Sequence, residues 1–175
     1  MKSHHIATDR LSLFPLTLEQ LRLYLDEPEE LEKGLGLSVS RSIITNRLKR
    51  ALGMKIEKMD RANESDHPWF SYWLIVIRET SFGAGMAGFK GLPNENGEVE
   101  IGYGIDPECQ GKGYMTEAVE ALVAWAFQND RCLSVIAPDT KRSNIASNRV
   151  LEKVGMRVYY ETEDALYWRI DKESN

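Results

Sequence analysis

The sequence predicts an α/β (α+β) fold. It has a mixed central sheet of about seven strands, flanked by about four helices, in a single domain over residues 1–175. Three observations predict it. The runs Trp69–Arg78, Phe82–Leu92 and Glu98–Ile105 follow one another as strand-like segments, which makes an antiparallel meander. A helical period then runs from Gly111 to Asn129, and the short apolar run Leu133–Ala137 follows it. Strand, helix and strand in that order form a crossover, so its two strands lie parallel and the connection is right-handed. Finally, 175 residues with 42% apolar and 28% charged content suit one ordinary globular domain.

The elements read in order. Leu11 and Leu13 alternate around Ser12, so Thr8–Pro15 holds a short strand. Thr17 is a fitting N-cap for a helix carrying Leu18, Leu21 and Leu25. Pro28 interrupts that helix, and Glu29–Lys33 restarts a turn before Gly34 and Gly36. Ser40–Met59 forms a second helical region through Ile43, Ile44, Leu48, Leu52, Ile56 and Met59. Its cations Arg41, Arg47, Lys49, Arg50, Lys55 and Lys58 read as a solvated face, with coenzyme or substrate contact as the sharper alternative. Asp60–Pro68 is a polar loop, and Asn96-Gly97 suits a hairpin turn between the second and third strands of the meander. Pro138–Arg142 reads as a loop. Ser143 is placed to cap a helix over Asn144–Val154, which Gly155 stops. Met156–Thr162 and Ala165–Asp171 close the chain as a hairpin.

Composition narrows the function. A net charge of −5 gives no global attraction to nucleic acid or an anionic membrane, so neither is expected as a partner. Cys109 and Cys132 lack metal-ligand spacing and read as free thiols of a reducing compartment. Met1–Arg10 has no apolar leader, and no run approaches the length of a membrane span, so a cytoplasmic location is expected. His4, His5 and His67 have no partners at ligand spacing, and no metal site is expected.

The chemistry concentrates in Pro107-Glu108-Cys109-Gln110-Gly111-Lys112-Gly113-Tyr114-Met115-Thr116-Glu117-Ala118, where an alternating strand gives way to a helix. A glycine-rich helix entrance turns free N–H groups toward one point, and the helix dipole adds partial positive charge. A phosphate is the natural guest. The common nucleotide patterns do not fit, however. The third glycine of Gly-x-Gly-x-x-Gly is missing, and Gly113-Tyr114-Met115 does not supply Gly-Lys-Ser/Thr.

The residues do resemble the GNAT superfamily of acetyl-CoA-dependent N-acyltransferases, and within it the ribosomal-protein N-terminal acetyltransferases of the Rim type. The family loop Gln/Arg-x-x-Gly-x-Gly/Ala is matched by Gln110-Gly111-Lys112-Gly113-Tyr114-Met115. The match extends to Glu100-Ile101-Gly102-Tyr103, Thr116-Glu117-Ala118, Thr8-Asp9-Arg10-Leu11-Ser12-Leu13 and Asn144 through Met156. There are two departures. Met115 replaces the usual Gly or Ala, so its side chain must turn away from the phosphates. Leu151 stands where many members carry a Tyr that protonates the leaving thiolate.

The resemblance implies a GNAT-like fold and transfer of acetyl from acetyl-CoA to a primary amine, by direct attack in a ternary complex. It implies that Gln110, Gly111, Lys112, Gly113, Tyr114, Met115 and Thr116 hold the pyrophosphate. Backbone around Ile105 meets the pantetheine arm, and Asn144 bonds the coenzyme, although Asn also suits a helix start. Ser147, one turn further on, is the implied general acid, against a hydroxyl satisfied by its own helix. Glu100 is the expected base, with Glu98 in reserve, against an ordinary ion-paired strand residue. The acceptor is a protein N-terminus or a small amine, and the chain is a monomer or homodimer. A non-catalytic acyl-CoA-binding module is the competing reading.

Overall fold

The computed structural model describes residues 4–173; Met1–Ser3, part of the Met1–Arg10 stretch read above for a leader, and Ser174–Asn175 lie outside the described residues. Among the described residues, nine strands form one sheet: β1 (Ile6–Ala7), β2 (Leu11–Pro15), β3 (Ser38–Val39), β4 (Trp73–Ile77), β5 (Phe82–Phe89), β6 (Glu98–Ile105), β7 (Ser134–Lys141), β8 (Arg157–Glu161) and β9 (Ala165–Asp171). The spatial order is β1-β2-β4-β5-β6-β7-β9-β8, and β3 is paired to β5. Two contacts are parallel, β3 with β5 and β6 with β7; the others are antiparallel.

The helices are α1 (Leu18–Asp26), α2 (Pro28–Leu35), α3 (Asn46–Arg61), the short α4 (His67–Phe70), α5 (Tyr114–Ala126) and α6 (Ile145–Lys153). Thr17 caps α1 in a full capping box with Gln20. Pro28 opens α2 rather than only ending α1, because a first-turn residue needs no N–H. Gly36 closes α2 in the left-handed conformation.

Two apolar clusters sandwich the sheet. On one face α1, α2 and α3 cover β4 and β5 through Leu21, Tyr24, Leu31, Leu52, Met59, Leu74, Val76 and Met86. On the other, α5 and α6 pack Met115, Val119, Leu122, Ala126 and Leu151 against Leu13, Ile75, Phe89, Val99 and Ile101. None of the described helices is long and apolar enough to cross a membrane.

Several expectations are corrected. The meander's first strand starts at Trp73, and Trp69 sits in α4, its indole against Phe89 and Trp125. The expected Asp60–Pro68 loop contains a 3-10 turn, Glu64–Asp66, and the start of α4. Helix α3 begins at Asn46, capped by Thr45, since Ser40 is held at the end of β3. The solvated face of α3 loses Lys55, which is buried with its ammonium on the carbonyls of Phe70, Ser71 and Phe89. Strand β7 runs on through Pro138 to Lys141, where a loop was expected. Asn144, not Ser143, caps α6.

Candidate active site

The site begins where two strands part. Strand β6 pairs with β7 only at Glu98–Ser134, Val99–Val135 and Glu100–Ile136. Beyond that point β6 keeps its ladder with β5, from Ile101 to Ile105, while β7 follows β9. The cause lies in the sequence of β7. Pro138 has no N–H to offer β6, Asp139 sits at φ +54°, and the β9 ladder slips between Ala137 and Thr140. Glu100 is thus the last paired residue at the apex of the gap.

On the α5 side the gap opens into a cleft of about 690 Å³. Its walls are Tyr103–Ile105, Cys109–Gly111, Gly113–Thr116 and the Asn144–Lys153 face of α6. The sequence-predicted residues Ile105, Gln110, Gly111, Gly113, Tyr114, Met115, Thr116, Asn144 and Ser147 therefore share one cleft. Met115 turns its side chain into the core, as its bulk requires.

The helix entrance is built to leave donors free. Gly111 and Gly113 adopt φ +74° and +80°, where L side chains are strained. Gly113 is the N-cap of α5 and has no side chain to cap it. The N–H of Glu117 is bonded to the Gly113 carbonyl, so those of Tyr114, Met115 and Thr116 precede the first intrahelical bond. Such a cradle fits a diphosphate.

Two networks hold the cradle. Asp106 caps the Pro107–Cys109 turn by accepting from the Glu108 N–H at 2.9 Å, and accepts from the Ser40 hydroxyl at 2.5 Å. These bonds, the Ser40 hydroxyl first, hold its carboxyl below the ordinary range. Tyr24 of α1 donates to the Ser40 carbonyl at 2.7 Å, which ties the loop to the opposite helical layer. On the other side, Glu117 accepts from the Thr8 hydroxyl at 2.6 Å, the Arg10 N–H at 2.9 Å and the Arg10 Nε at 2.7 Å. The same guanidinium donates to the Lys112 carbonyl at 2.8 Å and lies 4.7 Å from the Tyr114 ring centroid.

Other predicted residues are placed differently. Lys112 meets the clamp through its carbonyl and does not line the cleft. Glu100 is half-buried, ion-paired to Lys90, and on the opposite face of β6 from Tyr103. Glu98 is committed to Arg169 at 2.5 Å. Asn144 accepts from the Ser147 N–H at 3.2 Å, and its amide nitrogen has no partner among the described residues. Ser147 is half-buried on the cleft wall.

Sequence reasoning missed three features. Tyr103 brings a phenol to the cleft, where it donates to the Ser147 carbonyl at 3.1 Å, and burial pushes its pKa up. Its place in an apolar alternation made it look like core. The Arg10–Glu117 clamp spans 107 positions, so no local pattern marks it. Arg149 and Lys153 line the cleft at an i, i+4 spacing that was legible but not weighed.

A family model, the acetyltransferase (GNAT) domain, matches residues 10–157. The chain belongs to the GNAT acetyltransferase family. It is similar to the uncharacterized N-acetyltransferase YjdG of Bacillus subtilis (strain 168), 32% identical over 57% of this chain and 58% of that protein. The match thus spans little more than half of that relative. In fold it is similar to the ribosomal-protein-S5-alanine acetyltransferase from Vibrio fischeri, with TM-score 0.66 and 17% identity, covering 95% of this chain and 96% of the other. It is also similar to the microcin C7 self-immunity acetyltransferase MccE in complex with acetyl-CoA and AMP. There the TM-score is 0.63 and the identity 16%, with 94% of each chain covered. The expected GNAT-like mixed sheet is therefore correct, with nine strands and six α-helices among the described residues in place of about seven and four.

Proposed function

We propose that this chain transfers the acetyl group of acetyl-CoA to a primary amine, by direct attack while both substrates are bound. The observation that carries the reading is a single cleft joining a free-donor helix entrance to a strand gap with Glu100 at its apex.

In this reading, residues 110–116 hold the pyrophosphate on backbone N–H groups. The unpaired edge of β6 near Ile105 aligns the pantetheine arm, and the amide nitrogen of Asn144 adds a donor. The thioester then lies in the gap. The amine approaches from the face of β6 that carries Glu100, Gly102 and Gly104. Glu100 takes the ammonium proton through water, with Lys90 orienting the carboxylate. The neutral amine nitrogen attacks the carbonyl carbon, the amide C–N bond forms, and the C–S bond breaks. The leaving thiolate takes a proton from the Ser147 hydroxyl or, since Leu151 offers none, from the Tyr103 phenol on the same wall, and the second proton lost by the acylated nitrogen passes through water to restore that donor.

The acceptor is a protein N-terminus or a small amine; the ribosomal-protein-S5-alanine and microcin C7 self-immunity acetyltransferases share this fold. The second reading, an acyl-CoA-binding module, draws on Leu151. Incubation with acetyl-CoA and a panel of N-terminal peptides, polyamines and amino acids, with thiol release as readout, decides between them. Release above the acceptor-free rate is expected. Tight coenzyme binding without release on any amine overturns the enzyme reading.

A further inference from the structure

Arg149 and Lys153 are the only charged side chains lining the cleft among the described residues. They stand at i and i+4 on α6, so they project from one helix face about 6 Å apart at Cβ. Both are exposed, and neither has a carboxylate within 4.0 Å among the described residues. On the other side of the helix entrance the situation is reversed. Arg10 is bound to Glu117 and to the Lys112 carbonyl, and so is neutralised and held. In a chain of net charge −5, two unpaired cations facing one acid-free cleft point to an anionic ligand group.

The diphosphate already has a host in the N–H groups at the entrance of α5. One phosphate of the coenzyme then remains, the monoester on the ribose, a dianion at neutral pH. Two cations one helical turn apart suit a group with three acceptor oxygens. On the proposed reading of the cleft as a coenzyme A site, we infer that Arg149 and Lys153 bind the ribose 3′-phosphate and select coenzyme A over its dephospho form. The pair also fixes the direction of the coenzyme. Ser147, one turn before Val150, meets Tyr103 beside the strand gap, and Lys153 ends the helix away from it.

The test is calorimetric titration of the full chain with coenzyme A and with 3′-dephospho-coenzyme A at low salt. The wild type is expected to prefer coenzyme A about tenfold, from two partly screened ion pairs. The double variant Arg149→Gln with Lys153→Gln should bind both forms equally, at the wild-type affinity for the dephospho form. Arg149→Lys with Lys153→Arg should keep the preference. Both positions are exposed, so the variants should unfold at the wild-type temperature. Equal weakening toward both ligands would assign the cations to the diphosphate and overturn the inference, as would a wild type without preference. A wild type that binds neither ligand would instead remove the coenzyme reading itself.

Discussion

At the scale of single residues, position in the sheet decides what each polar side chain can do. Glu100 and Glu98 share one face of β6, but only Glu100 sits at the apex of the gap, and Glu98 is spent on Arg169. Glu100→Gln should therefore lower kcat about a hundredfold while the dissociation constant for acetyl-CoA stays within twofold. Steady-state kinetics with calorimetry check this, and equal losses in both would assign Glu100 a structural role. Lys55 presents a different case. Its Nζ donates to the carbonyls of Phe70, Ser71 and Phe89 at 2.9, 3.2 and 2.6 Å, and lies 4.4 Å from the Tyr72 ring centroid. Lys55→Met keeps the bulk and leaves these carbonyls without that donor, at a cost of about 2 kcal/mol. Thermal denaturation should show a midpoint about 6 °C lower for a domain of this size. The charge run on α3 disguised this role, because composition does not say which cation of an amphipathic helix turns inward.

At the scale of elements, the entrance of α5 depends on a strand it does not touch in sequence. The clamp of Thr8 and Arg10 on Glu117 fixes the first turn of α5 against the β1–β2 turn. Arg10→Met should weaken coenzyme binding about tenfold, with kcat at saturating acetyl-CoA within twofold, because Arg10 positions the loop without lining the cleft. Calorimetry and saturation kinetics give the two numbers, and Arg10→Lys should recover part of the affinity. The pH dependence has a definite sign. Burial raises the Glu117 pKa, but the bonds from Thr8 and Arg10 outweigh it, so the native carboxyl titrates below its ordinary value of 4.5. Stabilisation is then complete above that value and fades as pH falls through the native pKa. Acid denaturation of Glu117→Gln should lack this part of the wild-type curve. The same elements show what was legible. The loop, its glycines and the caps at Thr17 and Gly155 are local signals, set by backbone conformation within a few residues. The extent of β7 was not, because Pro138 reads as a strand terminator. Only the paired strand β9 carries the chain past that kink to Lys141.

At the scale of the whole molecule, the helical layer is asymmetric, and that asymmetry leaves open the face of β6 proposed for the acceptor. Helices α1, α2 and α3 cover β4 and β5, but their apolar cluster takes no residue from β6, β7, β8 or β9. The corresponding face of β6 carries Glu98, Glu100, Gly102 and Gly104, and an added Cβ at either glycine meets nothing within 4 Å. Sequence alone marks these glycines as weak strand residues; their meaning depends on how far the helices reach across the sheet. Because the space is open and the strand is regular, Gly102→Val, which lies outside the cleft lining, should cost little stability, and a β-branched residue even suits the pleat. The same valine fills the approach to the strand gap. We expect the variant to keep the wild-type unfolding midpoint within about 2 °C. Acetyl-CoA should bind from the other side with unchanged affinity, while the KM for the amine rises at least about tenfold. A peptide acceptor, which must lie along the face, should suffer more than a small amine. An unchanged KM for every active acceptor would place the amine on the α5 side of the sheet, and Glu100 would then have no proton to take.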